Sequence, residues 1–358
     1  MNIKKLLKQV SKNDCISDLH LTIKHTPVVR YNGELQPIIE IEPLNKDDLE
    51  NVIDELMNDE QKIIFEKKGE IDFSYSLPGI ARFRVNAYQQ RGSVCLALRA
   101  IPTKVPTIKE LGLPQTVKKL SKQRKGLILC TGPTGSGKST TLASMINEIN
   151  TTRQSHILTL EDPIEYLHHH QKSLVHQREV GSDTQSFANG LRAALRQDPD
   201  VILVGEMRDL ETISIALEAA ETGHLVLATL HTNNAPQTIE RVVDVFPAHQ
   251  QQQVRVQLAA VLNGIISQQL LPTINNQNRV VALEILIGTP AIRNLIREGK
   301  SHQIESSMQT GAKYGMELMD NYLLKLYKKE LIDLNTTLRR ANNPKELKER
   351  ISQIGSKF

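Results

Sequence analysis

The stretch Gly132-Pro133-Thr134-Gly135-Ser136-Gly137-Lys138-Ser139-Thr140 decides the fold. It fits the pattern G-x-x-x-x-G-K-[ST], with the apolar run Leu127–Cys130 leading into it and a helical segment leaving it. Glycines let backbone N–H groups wrap a chain of phosphates, and a helix N-terminus adds favourable partial charge there. In that arrangement Lys138 reaches the outer phosphates and the Ser139 hydroxyl binds Mg²⁺, so ATP and Mg²⁺ are the expected cofactors. The bland alternative is a Gly-rich turn, and the strand–loop–helix setting argues against it.

Beyond this loop, strand-like apolar runs recur at Ile157–Leu160, Val201–Val204 and Leu225–Thr229, with helical stretches between them. That alternation predicts an α/β fold, a mainly parallel sheet wrapped by helices. Such sheets bind ligands at the carboxyl ends of their strands, and acids stand there twice. The first cluster is Glu161-Asp162-Pro163-Ile164-Glu165; the second is Glu206, which closes the run Asp200–Glu206. An ordinary Walker B ends in Asp-Glu, whereas here the Asp position is Gly205. Glu206 alone would then organise Mg²⁺, through water, since one carboxylate plus waters makes an acceptable magnesium shell. A base that activates water would come from the first cluster, where spacing does not choose between Glu161 and Glu165. His224 precedes the Leu225–Thr229 run and His231 follows it, which makes the pair candidates to bracket the sheet edge as phosphate sensors or as links between subunits. A lone His is more often structural. The tract His168-His169-His170 lacks a spaced partner ligand and reads as a solvated loop.

The chain before the P-loop reads as a small α+β domain. Val28–Tyr31, Asn32-Gly33 and Glu34–Ile39 spell a hairpin with a two-residue turn. Ala81–Tyr88 alternates, with Arg82 and Arg84 on one face and Phe83, Val85 and Ala87 on the other. Two arginines on one strand face either form surface ion pairs or neutralise phosphate as an arginine finger does. Pro102, Pro106 and Pro114 punctuate a linker. The expected division is residues 1–102, a linker over 103–120, a core over 121–288 and a helical C-terminal region over 289–358.

Composition excludes several classes. The 44 basic and 40 acidic residues leave a net charge of +4, too weak to announce nucleic acid, and with no Trp, stacking platforms for single strands would be hard to build. Cys15, Cys95 and Cys130 are scattered, without CxxC spacing, as expected of reduced thiols in a cytoplasmic protein. No apolar run approaches the roughly 18 residues of a membrane span, so a soluble protein without a transmembrane segment is expected.

The segments GPTGSGKSTT, LTLEDPIEY, QREVGSDTQSFANGLRAALRQDPDVILVGEMRDLET, AAETGHLVLATLHTN and AIRNLIRE follow one another in this order. They resemble the Walker A, Asp box, Walker B and His box of the secretion-ATPase superfamily and, within it, the retraction ATPases of type IV pili. The resemblance covers nearly the whole chain from Ser17. It implies a RecA-like P-loop core, a PAS-like N-terminal domain and a homohexameric ring that converts ATP hydrolysis into pilus retraction and twitching motility. It also implies Glu165 as the Asp-box catalytic glutamate, Glu206 as the Walker B glutamate, and Gly205 as a family feature. His224 and His231 would be the His-box pair, and Arg82 and Arg84 inter-domain phosphate contacts. The implied partners are an inner-membrane pilus platform protein and other pilus-base components, with the motor peripheral at that base and no direct contact with nucleic acid. His168–His170 and Asn233 depart from the expected pattern without touching a proposed catalytic atom.

The octapeptide Ala291-Ile292-Arg293-Asn294-Leu295-Ile296-Arg297-Glu298 resembles a signature of retraction motors that assembly ATPases lack. On a helix its apolar residues fall on one side, and Arg293 and Arg297, at i and i+4, predict a two-guanidinium stripe for a partner. An accessory retraction ATPase is the nearest alternative function. A DNA translocase and a regulator that only senses ATP stand further off.

Overall fold

A computed structural model of the chain describes residues 1–13, 15–102, 104–275 and 278–355. Residue 103, the first of the expected linker, and residues 356–358, the last of the expected C-terminal region, lie outside the described residues. The chain divides into two units, Met1–Lys104 with Glu165–Leu167, and Val105–Ile164 with His168–Phe358.

The first unit begins with helix α1 (Ile3–Val10), whose buried residues Ile3, Leu6, Leu7 and Val10 recur at helical spacing. Strands β1 (Ile16–Leu21), β2 (Val28–Tyr31) and β3 (Glu34–Pro37) follow, then α2 (Lys46–Leu56) and α3 (Asp59–Lys68). Asn45 with Asp48, and Asn58 with Gln61, close reciprocal capping boxes at the starts of these two helices. Strands β4 (Glu70–Leu77), β5 (Ala81–Gln90) and β6 (Ser93–Ile101) complete an antiparallel sheet of order β3-β2-β1-β6-β5-β4. The β2–β3 hairpin turns at Asn32-Gly33, both at positive φ, as its turn chemistry requires. Phe83, Val85 and Ala87 on β5 are fully buried, and Arg82 and Arg84 stand on the opposite face.

The second unit opens with helix α4 (Gln115–Ser121), which buries Val117 and Leu120, and its sheet is built from strands β7 (Gly126–Thr131), β8 (His156–Glu161), β9 (Leu174–Glu179), β10 (Val201–Val204), β11 (Leu225–Leu230), β12 (Leu262–Pro272) and β13 (Arg279–Ile287). The order is β13-β12-β7-β11-β10-β8-β9, parallel throughout except for β13, which runs antiparallel on β12. Helices α5 (Lys138–Thr152), α6 (Phe187–Ala194), α7 (Leu210–Glu221), α8 (Ala235–Asp244) and α9 (Ala248–Val261) connect these strands. Every residue of β7, β10 and β11 is buried, which is why these strands read as continuous apolar runs and not as alternations. The chain closes with α10 (Pro290–Arg297), α11 (Ile304–Gln309), α12 (Met319–Lys328), α13 (Leu334–Arg340) and α14 (Pro344–Gly355). Among the described residues, no helix is long and apolar enough to cross a membrane.

Candidate active site

The P-loop leaves the carboxyl end of β7. Gly132 has φ 143°, and a Cβ there would lie 2.3 Å from the Gln268 carbonyl oxygen and 2.7 Å from Ser136 Oγ, so no side chain fits. Gly135 and Gly137 sit at φ 77° and 88°, left-handed conformations that glycine adopts without strain. Gly137 is the N-cap of α5, and no side-chain hydrogen bond caps that terminus, where the helix presents its positive end to the loop. Lys138 is only 9% exposed, and its Nζ donates to the carbonyls of Gly132 (2.8 Å) and Pro133 (3.1 Å), holding the ammonium against the loop. Ser136 is 3% exposed, and its Oγ is enclosed without a hydrogen-bond partner. Ser139 and Thr140 follow, half-buried, in the first turn of α5. Uncapped helix N–H groups, an inward ammonium and an orphaned hydroxyl are donors and a cation gathered around one loop, which is the set a polyphosphate needs.

Sequence reasoning missed the brace beneath this loop. Gln268, on β12 and 1% exposed, donates from Nε2 to the Ser136 carbonyl at 2.6 Å. Its Oε1 accepts from the Cys130 thiol at 3.3 Å, and Thr131 Oγ1 donates to Ser267 Oγ at 2.8 Å. Burial pushes the Cys130 thiol up to about 12, so it is a hydrogen-bond donor and not a nucleophile. The signal was weak because Leu262–Pro272 mixes Asn263, Gly264, Ser267, Gln268 and Gln269 with its apolar residues.

The acids gather at the same edge of the sheet. Residues Val204, Ala228 and Leu160 lie in one register across β10, β11 and β8, and Leu230 pairs with Thr131 of β7. The chain just past each strand therefore meets the P-loop edge. Glu206 Oε1 lies 3.1 Å from His231 Nε2 and also pairs with Arg208 Nε. Gly205 has a local reason: a Cβ there would come within 3.1 Å of the Leu160 carbonyl and 3.3 Å of Glu161 Cα. A side chain there would press on the end of β8, which would have to give by a few tenths of an ångström. Glu161, at the end of β8, accepts from Thr159 Oγ1 (2.6 Å) and from Gln177 Nε2 (3.1 Å). Glu165 is exposed, in the short stretch Glu165–Leu167 that groups with the first unit.

His224 corrects the bracketing expectation. It stands at the amino end of β11, where its carbonyl accepts from Gly126 and its Nδ1 meets the Ala219 carbonyl at 2.9 Å. Six strand residues separate it from His231, about 20 Å at strand rise, so only His231 reaches the P-loop edge of its own chain. The arginine stripe is corrected too. Arg293 donates from Nε to the Gly288 carbonyl (2.8 Å), from Nη2 to the Leu262 carbonyl (3.1 Å) and from Nη1 to the Ala260 carbonyl. Its guanidinium ties α10 to the α9–β12 junction, whereas Arg297 is exposed and donates to Asn294 Oδ1 at 3.2 Å. Ile292 and Ile296 are buried as expected, Leu295 is half-buried, and Ala291, Asn294 and Glu298 are exposed. In the first unit Arg82 donates to Ser76 Oγ at 3.3 Å, and Arg84 Nε lies 3.8 Å from Asp72. His169 and His170 are exposed, but His168 is not part of a solvated loop: its Nδ1 is enclosed, and burial pushes the ring down to about 4.

The sequence profile of the Type II/IV secretion system protein family matches residues 2–356. The chain is 51% identical over 344 residues to the type IV pilus retraction ATPase PilT of Pseudomonas aeruginosa, covering 96% of this chain and 99% of that one. It is 49% identical over 322 residues to a twitching motility protein of Neisseria gonorrhoeae, covering 90% and 86%. A crystal structure of the pilus retraction motor PilT with bound ADP superposes with a TM-score of 0.90 at 51% identity, covering 98% of this chain and 99% of that one.

Proposed function

The chain belongs to the Type II/IV secretion system protein family, and on that premise we propose that it is an ATPase motor that powers retraction of type IV pili. The observation that carries this reading is the convergence, at one sheet edge, of the P-loop with Lys138 and of the Glu206–His231 pair. Similarity to a retraction ATPase along nearly the whole chain, at 51% identity, supports the cellular role.

The roles follow from position. Backbone N–H groups of residues 132–140 cradle the phosphates, and Lys138 turns its ammonium from the loop carbonyls to the phosphate charge. Ser139 would hold Mg²⁺ directly and Glu206 through water, and the ion would supply neutralisation of charge on the phosphates. Glu206 orients water, and His231 keeps the Glu206 carboxylate in place. We assign Glu165 as the base that takes the proton of the attacking water, and Arg82 and Arg84 as cations for the leaving phosphates. His224, remote from the P-loop edge of its own chain, is assigned to contact between subunits. The working state is a homohexamer, and its partners are an inner-membrane platform protein and other components of the pilus base.

Pilus number per cell in a deletion strain tests the reading. Excess, non-retracting pili are expected, and bald cells would point to an assembly motor. Restored twitching on complementation by the chain alone would separate it from an accessory retraction ATPase.

A further inference from the structure

Glu284 is a carboxylate where a strand core would ordinarily hold an aliphatic side chain. It lies on β13 between Leu283 and Ile285 and is 3% exposed. Its Oε1 accepts from the Ala235 N–H at 2.8 Å, and the carboxylate also accepts from the backbone of Met319. Ala235 is the first residue of α8 and Met319 the first of α12, so one side chain spans the starts of two helices. Each start supplies unsatisfied N–H groups and positive partial charge, which is what a carboxylate there answers.

Neither helix start is incidental. Helix α8 follows directly on the loop that carries His231, and that loop is fastened to the helix: Thr232 Oγ1 meets Thr238 Oγ1 at 2.7 Å, and Thr238 Oγ1 donates to the Asn234 carbonyl at 2.7 Å. His231 in turn lies 3.1 Å from Glu206. On the sheet side Glu284 pairs in register with Ser267, Ser267 pairs with Thr131, and Thr131 Oγ1 donates to Ser267 Oγ. Thr131 is the last residue before Gly132. A buried polar row thus runs from the foot of the P-loop through Ser267 to Glu284, and on to the starts of α8 and α12.

We propose that Glu284 is a positioning residue for ATP hydrolysis, holding the His231 loop in register with Glu206 while fastening the same helix start to α12 of the C-terminal region. The proposal rests on the ATPase reading above. Movement of α12 then pulls on α8 and changes where His231 stands against Glu206. Burial holds the Glu284 carboxyl up to about 7, with Glu305 and Asp320 adding repulsion and the two backbone donors opposing them. A protonated Glu284 keeps one good acceptor oxygen and a glutamine keeps the same one, so the two hold the junction alike.

Steady-state ATPase of the full chain tests this, with wild type and Glu284→Gln compared between pH 6 and 8.5. The expected result at pH 8.5 is a kcat about three- to thirtyfold lower for the variant, the range that changes along a coupling network produce, with KM for ATP within about twofold. Wild-type kcat should fall toward the variant's value as pH drops through about 7, where the variant's own profile stays flatter. A folded variant with wild-type kcat, or one whose KM rises in step with the loss, overturns the proposal. Should Glu284→Gln fail to fold, Ala235→Pro removes one donor at a helix position where proline is tolerated, and it must show the same split. If neither variant folds, Glu284 is a purely structural residue and the proposal is wrong. Absence of any wild-type turnover would instead sink the ATPase reading, and it is seen before a variant is compared.

Discussion

Glu206 Oε1 and His231 Nε2 lie 3.1 Å apart, although they belong to loops that follow different strands. The contact exists because β10 and β11 are parallel neighbours in register from Val201 with Leu225 to Val204 with Ala228, so the loops that leave them emerge side by side. Met207 N–H donates to the Thr229 carbonyl at 3.1 Å, and Thr229 Oγ1 donates to the Gly205 carbonyl, which fixes the two loops against each other. With the loops so fixed, His231 and Arg208 meet the carboxylate from defined directions. The proposed role of Glu206, orienting water, depends on such fixed geometry.

Glu206→Gln is accordingly expected to bind ATP within a few-fold of wild type while kcat falls by about 10²- to 10⁴-fold, the range for removing a group that handles proton and water. Single-turnover hydrolysis measured beside equilibrium nucleotide binding separates the two effects. Near wild-type turnover would show that Glu206 does not serve the metal and its water.

Lys138→Ala should do the reverse and lose most affinity for nucleotide. The ammonium is held within the loop by the Gly132 and Pro133 carbonyls, and nothing else in residues 132–140 carries positive charge. Titration with a fluorescent ATP analogue reads the loss directly. Retention of wild-type affinity would mean that backbone N–H groups alone hold the phosphates.

Gln268→Leu preserves approximate volume but removes the donor to Ser136 and the acceptor for Cys130. It leaves a buried carbonyl and thiol unpaired, for a loss of about 1–3 kcal/mol in unfolding free energy. Because the lost bond braces the P-loop, KM for ATP should rise more than kcat falls. Denaturant melts and steady-state kinetics check both; an unchanged KM would reduce Gln268 to a core residue.

The P-loop, the parallel strands and the acids at their ends were legible because local chemistry dictates them. Glycine spacing, apolar runs and turn residues act over a few positions. The amphipathic faces of β5 and α10 were legible for the same reason, since their periods are written in the chain. Long-range pairing was not. Nothing near Gln268 says that it will lie under Ser136, and nothing near Arg293 says that three carbonyls at 260, 262 and 288 will claim its guanidinium. His224 misled through proximity to a strand: an end of β11 was recognised, but which end meets the nucleotide depends on strand direction relative to β7. The close approach of Gly205 to β8 is likewise a long-range contact that the local sequence does not spell.

Stability should report Glu284 independently of turnover. Burial raises this carboxyl from its ordinary 4.5 to about 7, so the folded chain prefers the neutral form. The stabilisation this gives is fully present below about 4.5 and is lost as pH rises through about 7. Glutamine has no charge to bury. Its unfolding free energy relative to wild type should therefore climb between pH 4.5 and 7, by at most about 3 kcal/mol, and stay level above that. Parallel pH profiles for the two proteins would mean that the group is not held neutral.

Arg293 and Arg297 should separate sharply, although they occupy equivalent positions one turn apart on α10. Arg293 is a clasp: its three donor nitrogens close the carbonyls of Ala260, Leu262 and Gly288, so Arg293→Gln leaves acceptors unpaired and loosens α10 from α9 and β12. A loss of about 2 kcal/mol or more in unfolding free energy is expected, with weakened activity as its consequence. Arg297 is exposed, and its guanidinium donates to Asn294 on its own helix; a contact of that kind contributes a few tenths of a kcal/mol at most. Arg297→Gln should therefore melt like wild type and keep basal ATPase. If the exposed edge of Asn294, Arg297 and Glu298 passes motion to the pilus machinery, the same variant should abolish retraction in cells. Thermal melts, ATPase assays and twitching zones on the two single variants decide it. Normal twitching with Arg297→Gln would remove the helix surface from the output path, and a wild-type melt with Arg293→Gln would remove the clasp.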